Sequence, residues 1–227
     1  MTSSRRIGAA GSVVRTRLLD AAEQLMLEEG YAAVSSRRLA AKAGMKQSLF
    51  YYYFRSMDEL FLAVFRRIAE QSLAGLAKAL ESEQPIRALW DLNSDRSRTA
   101  LTIEFAALAN HRKVVQAEIA RYAEQFRSLS LQGLTRLFKQ RGIEPQIPPL
   151  IVDVLLTSVA RMIVQEGALG ISKGHAATHG FVEACLRHFE ACGAAVPPLS
   201  ATLGRPDAAS REAPTTPQVR TVKRRHG

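Results

Sequence analysis

Between Val13 and Glu29 the apolar residues Leu18, Ala22, Leu25 and Met26 recur at the three-to-four-residue spacing of an amphipathic helix, and Gly30 follows as its stop. Ser35 is placed to cap a second helix over 36–43, with Leu39 and Ala40 inward and Gly44 at its end. A short third helix over 46–53 follows almost at once. Ser56-Met57-Asp58-Glu59 has the spacing of a capping box, in which the serine hydroxyl and the glutamate carboxylate each take an orphan amide at a helix start. The spacing predicts a long fourth helix from about 57 through Leu60, Val64, Ile68, Leu73, Leu76 and Leu80, and Pro85 opens a fifth. Further helices are expected at about 97–109, 111–141, 148–167 and 175–192, parted by glycine- and proline-containing stretches. No run alternates with period two between turn residues, so the expected class is all-α with about nine helices.

Composition changes the picture at the ends. The 47% apolar and 7% aromatic content of the 227 residues belongs to an ordinary globular chain. Beyond Gly193 large apolar groups become scarce, so 194–227 is expected to be a disordered basic tail and 1–12 a flexible arm. A net charge of +10 suits a polyanion, either nucleic acid or an acidic membrane surface, without choosing between them. Charges interrupt every apolar stretch before the roughly 18 residues a bilayer requires, so no membrane partner is expected. Cys185 and Cys192 are seven apart in one expected helix, about 10 Å at roughly 1.5 Å per residue, too far for a bridge. That fits a reducing compartment. The stretch after Arg5-Arg6 is too short and too rich in Gly and Ala for an export signal, and a cytoplasmic location is expected.

Residues 35–54 read as a helix, a tight turn at Ala43-Gly44-Met45 and a second short helix, the arrangement that pushes one helix into a major groove. In that second helix Phe50 and Phe54 are four apart and pack inward, while Tyr51 and Tyr53 lie off their stripe. Phenols beside Lys46, Gln47, Ser48 and Arg55 make a surface of donors and amphipathic rings suited to phosphate oxygens and base edges. The competing reading is a packed aromatic corner with solvated charges; spacing as well as composition favours the nucleic-acid reading.

Through Leu18-Leu19-Asp20-Ala21-Ala22, Gly30-Tyr31, Ser36-Arg37-Arg38-Leu39-Ala40, Ala43-Gly44-Met45 and the run Leu49 to Ser56, the chain resembles the TetR family of transcription regulators over about 15–65. The resemblance implies a three-helix DNA-binding domain over 13–56. In it, Ser36 and Arg37 touch backbone phosphate, Gln47 and Ser48 lie nearest the bases beside Lys46, and Tyr51, Tyr53 and Arg55 grip flanking phosphates. The chain departs from the family at Leu49, where Thr is frequent, at Tyr53, where His is frequent, and at Met57, where Lys is common. Leu49 then becomes a candidate for a thymine methyl, and Gln47 for a bidentate bond to adenine contributing ~1–3 kcal/mol of discrimination.

The resemblance further implies that 57–193 binds an effector and dimerises, the helices at 148–167 and 175–192 pairing with their twins in a four-helix bundle. Ile151, Val154, Leu155, Val159 and Met162 supply an apolar face for this. A small molecule would enter between helices four to eight. Candidate walls are Trp90, Phe105, Tyr122, Phe126 and Met162, with Glu104 and His111 as polar anchors.

The expected function is thus a homodimeric repressor released from a palindromic DNA operator by a small-molecule effector. The alternatives are a regulator of the same fold without an effector, and an all-α enzyme or scaffold retaining the fold. No catalytic residue, metal or cofactor is expected. His175, His179, Cys185, His188 and Cys192 share a helix but lack a compact two-plus-two ligand spacing, and no phosphate loop or nucleophile elbow accompanies Glu104 and His111. The run Lys223-Arg224-Arg225-His226 reads as a solvated terminus in preference to a nonspecific phosphate contact.

Overall fold

The computed structural model describes residues 12–142 and 147–192, and among these residues all regular structure is helical. The arm expected over 1–12, save Ser12, and the tail expected over 194–227 lie outside the described residues. Helices α1 (Val13–Glu29), α2 (Ser36–Lys42) and α3 (Gln47–Tyr53) form an N-terminal unit, with a 3-10 turn at Tyr31–Ala33 between the first two. They are followed by α4 (Met57–Leu80), α5 (Pro85–Asn93), α6 (Arg96–Ala109), α7 (Lys113–Gln140), α8 (Pro149–Ala168) and α9 (His175–Cys192).

Local chemistry sets these boundaries. Ser35 Oγ accepts the Arg38 N–H at 3.4 Å, Ser56 Oγ accepts the Glu59 N–H at 3.1 Å, and the Asp95 carboxylate accepts the Arg98 N–H at 2.7 Å. Such caps each contribute about 1 kcal/mol. The Glu59 carboxylate reaches the Arg55 N–H at 2.7 Å, one residue upstream of the cap itself. The seventh helix starts at Lys113, two residues later than the expected 111, because His111 donates its N–H to the Leu108 carbonyl in a turn that must finish first.

Two apolar cores stack along α4. The first holds Leu18, Ala22 and Met26 of α1, Leu39 of α2, Phe50 of α3, Leu60 and Val64 of α4, and Phe105 and Leu108 of α6. The second gathers Leu76 of α4, Ile86, Leu89 and Trp90 of α5, Leu134 and Phe138 of α7, Ala160 and Ile163 of α8, and Leu186 of α9. Because one uninterrupted helix serves both, a change in its tilt at one end is felt at the other. Arg67 of α4 fixes that helix to α1 through Asp20 at 2.7 Å and Glu23 at 2.9 Å. Glu118 of α7 accepts from Arg121 at 2.7 Å and from Arg66 of α4 at 2.8 Å; these two guanidiniums hold its carboxyl down at about 2.

Helix α8 sends Ala160 and Ile163 into the second core but also carries a polar stripe inward. Asp153, Thr157 and Arg161, spaced i, i+4, i+8, share its inward face, whereas Ile151, Leu155 and Met162 are exposed. Of the five residues expected to form one apolar face, Val154 and Val159 are instead half-buried within the subunit, Val154 against an interior cavity. No helix among the described residues is long and apolar enough to cross a membrane.

Candidate nucleic-acid interface and interior cavity

The turn between α2 and α3 is built on Gly44, whose φ of 65° is a conformation that side-chain-bearing residues rarely adopt. The Arg17 guanidinium donates to the Ala43 carbonyl at 2.8 Å and so closes the end of α2. Phe50 and Phe54, each 1% exposed, anchor α3 from below, their rings 5.8 Å apart. A seven-residue helix has little stability of its own, and burying a phenylalanine contributes about 1.5–3 kcal/mol, so these two rings hold it in place.

With the rings inward, the opposite edge is open. Gln47, Ser48, Leu49 and Tyr51 are exposed, as are Lys46 and Arg55 at the two ends of α3 and Arg37 on α2. Gln47 Nε2 donates to Ser36 Oγ at 2.8 Å, and that hydroxyl shares a 3.2 Å hydrogen bond with Tyr51, so a polar network bridges the two helices on the outer surface. Among the described residues no ion pair engages Arg37, Lys46 or Arg55. Arg38 and Lys42, facing away from α3, are instead paired with Glu29 and Glu28. The positive charge left for an anion therefore sits on the side of the exposed edge. Tyr53 is placed differently from Tyr51: it is half-buried and its hydroxyl shares a 2.9 Å hydrogen bond with Ser12 at the start of α1. Tyr52, not singled out from the sequence, is exposed and meets Tyr53 edge-on at 4.9 Å.

A cavity of about 240 Å³ lies between α4, α6, α7 and α8, with the end of α5 closing one side. Its apolar wall includes Phe65, Leu101, Phe105, Tyr122 and Phe126; its polar side carries Arg98, Arg127, Asp153, Thr157 and Arg161. Three of the seven residues expected on the wall, Phe105, Tyr122 and Phe126, line it. The other four do not. Trp90 is buried in the second core, where α5 packs on α4 and α8, and meets His179 of α9 edge-on at 5.9 Å. Met162 points outward on α8, one residue past Arg161 and so about 100° around the helix. His111 is exposed in the turn after α6. Glu104 faces the N-terminal unit, where its carboxylate accepts the Tyr31 N–H at 2.6 Å.

The arginines and Asp153 escaped the sequence reading, although Asp153, Thr157 and Arg161 stand at helical spacing in an otherwise apolar run. Burial pushes the Asp153 carboxyl up, against a hydrogen bond from Ser130 Oγ that favours its charged form. Burial pulls Arg161 down from the ordinary guanidinium value, and the charge of Arg98 acts in the same direction. The Tyr122 phenol is pushed up by burial. Among the described residues no group of three or more His, Cys, Asp and Glu side chains is placed to hold a metal ion.

The family model for bacterial regulatory proteins of the tetR family matches residues 18–64, which run from the first core position of α1 through α2, the Gly44 turn and α3 into α4. In this N-terminal unit the chain is similar to TetR-family regulators. Over 68 residues it is 34% identical to the HTH-type transcriptional activator FasR of Mycolicibacterium smegmatis, a match spanning 30% of this chain and 31% of that protein. It is 26% identical over 184 residues to the HTH-type transcriptional regulator BetI of Rhizobium meliloti, spanning 77% of this chain and 90% of that one. The crystal structure of a Rhodococcus sp. protein assigned to the same family superposes with a TM-score of 0.61 at 17% identity, over 74% of this chain and 95% of that one. The exposed edge of α3 lies within the matched segment.

Two connections run from the cavity to the N-terminal unit. Helix α4 carries Phe65, Ala69 and Ser72 on the cavity and Leu60 and Phe61 in that unit's core. Helix α6 carries Leu101 and Phe105 on the cavity and, between them in sequence, Glu104 on the Tyr31 amide. The Tyr31 turn begins at Gly30, with φ of 83°, and a Cβ there would lie 3.3 Å from Glu104 Oε2. Arg112, after α6, completes the joint by pairing with Asp58 and lying 5.4 Å over the Phe61 ring.

Proposed function

We propose that this chain is a cytoplasmic, non-enzymatic repressor that holds a palindromic operator as a homodimer and leaves it when a small molecule occupies the interior cavity. The observation that carries the reading is that a single helix, α4, forms both the floor of the reading head and a wall of the cavity. A ligand that changes the packing of Phe65 or Ala69 tilts this helix, and the two heads of a dimer then lose the spacing of about 34–36 Å that separates successive major grooves on one face of DNA.

Dimerisation through α8 and α9 is supported by the exposed stripe of Ile151, Leu155 and Met162, which an isolated subunit would leave in water. On the DNA side, Gln47 and Ser48 read bases, Leu49 meets a thymine methyl, and Ser36, Arg37, Lys46, Tyr51 and Arg55 hold phosphates. Tyr53 also belongs to this phosphate-binding set, positioned through Ser12. Residues 13–56 act as the reading unit and 57–193 as the effector and dimer unit.

The test is a binding-site selection from random duplexes with the purified full-length protein. Enrichment of an inverted repeat, with base preference relaxed in Gln47→Ala, is expected. Equal retention of all duplexes would overturn the proposal.

A further inference from the structure

The cavity has an unequal charge inventory. Arg98, Arg127 and Arg161 stand on its polar side against one carboxylate, Asp153. Among the described residues none of the three guanidinium groups makes an ion pair or donates a hydrogen bond, whereas Asp153 already accepts from the Ser130 hydroxyl. By contrast Arg66 of α4 and Arg121 of α7 pair with Glu118, and Arg67 of α4 with Asp20 and Glu23. The cavity thus holds three arginines that the fold leaves without an ion pair among the described residues. Thr157 of the same wall has a buried hydroxyl with no hydrogen-bond partner among the described residues, and buried polar groups are ordinarily satisfied. The rings of Phe65, Phe105 and Phe126 line the same cavity.

We infer that the effector is a compact organic anion, a carboxylic acid with an apolar body, whose carboxylate lies between Arg98 and Arg161 and whose body packs on the phenylalanine wall. This rests on the ligand-responsive reading above and gives it a chemical class. Guanidinium groups present paired donors that match the two oxygens of a carboxylate, and in a site partly shut off from water the match is strengthened. Arg161 is half-buried and Arg98 is half-buried on the facing helix, while Arg127 is exposed at the mouth, so the first two grip the anion and the third draws it in. At about 240 Å³ the space lies below the roughly 300–1,000 Å³ of pockets for drug-sized ligands, which favours a small acid over a coenzyme conjugate.

The experiment is calorimetric titration of the full-length protein with straight-chain acids of four to ten carbons and phenyl-substituted short acids, each beside its uncharged primary amide. At least one acid should bind, with its amide at least tenfold weaker. Arg161→Gln and Arg98→Gln should each remove that preference, Arg161→Lys should keep part of it, and Arg127→Gln should have the smallest effect. If Arg161→Gln fails to fold, Arg98→Gln decides. An amide that binds as well as its acid, or a preference that survives both glutamine variants, overturns the anion assignment and leaves the ligand-responsive reading standing. If no acid of the series binds, the anion assignment falls, and the regulator reading is decided separately by the operator selection.

Discussion

Replacing Glu104 by alanine removes the carboxylate that accepts the Tyr31 N–H at 2.6 Å and strips the 3-10 turn of its tether to α6. A hydrogen bond to a charged group contributes about 1.5–3 kcal/mol net, and because Glu104 is half-buried the lower end applies, about 1.5 kcal/mol. Glutamine keeps an acceptor in place but loses the charge. Charge-assisted bonds are roughly twice as strong as neutral ones, so Glu104→Gln should cost about half as much. The measurement is urea denaturation of the full-length protein at one fixed concentration, paired with operator titration with and without a bound acid. Because Glu104 sits on the helix that also lines the cavity, the alanine variant should lose part of the ligand-induced fall in operator affinity as well as stability. Refutation would be a Glu104→Ala protein within about 0.5 kcal/mol of the parent, the range of an uninvolved surface change, and with an undiminished ligand response.

The other expectations concern the anchors of the same machine. Phe50→Ala opens a hole under α3 and should lower stability by about 3–5 kcal/mol, checked by thermal melting followed by circular dichroism. Leu155→Glu puts a charge into the exposed stripe of α8 and should shift the protein to a monomer in analytical ultracentrifugation, with loss of operator affinity; an intact dimer would place the interface elsewhere. The hydrogen bonds from Arg121 and Arg66 hold the Glu118 carboxyl at about 2 against an ordinary 4.5, so its contribution is complete above pH 4.5 and is lost as pH falls toward 2. Both arginines are more than half exposed and solvent screens the pairs, leaving about 1 kcal/mol. Glu118→Gln should therefore flatten the acid limb of the stability curve over that window while changing little else, as read from denaturation midpoints between pH 2 and pH 6.

What the sequence determined was everything governed by neighbours along the chain. The starts of α2 and α4 follow from Ser35 and Ser56, the turn at Gly44 from the absence of a side chain, and the open edge of α3 from the four-residue spacing of Phe50 and Phe54, because each acts within one helical turn of where it is written. The family signature lies wholly in that local grammar. The interior cavity is a different kind of object, assembled from residues as far apart in the chain as Phe65 and Arg161. Periodicity marks the faces of a helix but not which neighbour each face meets, so Phe105, Tyr122 and Phe126 were readable as inward-facing rings while Trp90 and Met162 were assigned to the wall although they face elsewhere. Glu104 has the same history: its carboxylate looks like a ligand anchor until the Tyr31 amide, 73 residues away, is brought against it. Helix α8 shows the reason most directly. Asp153, Thr157 and Arg161 stand at helical spacing, as do Ile151, Leu155 and Met162, but which residues turn toward the subunit's own interior beside Ala160 and Ile163 is decided only when α4, α6 and α7 close around the helix.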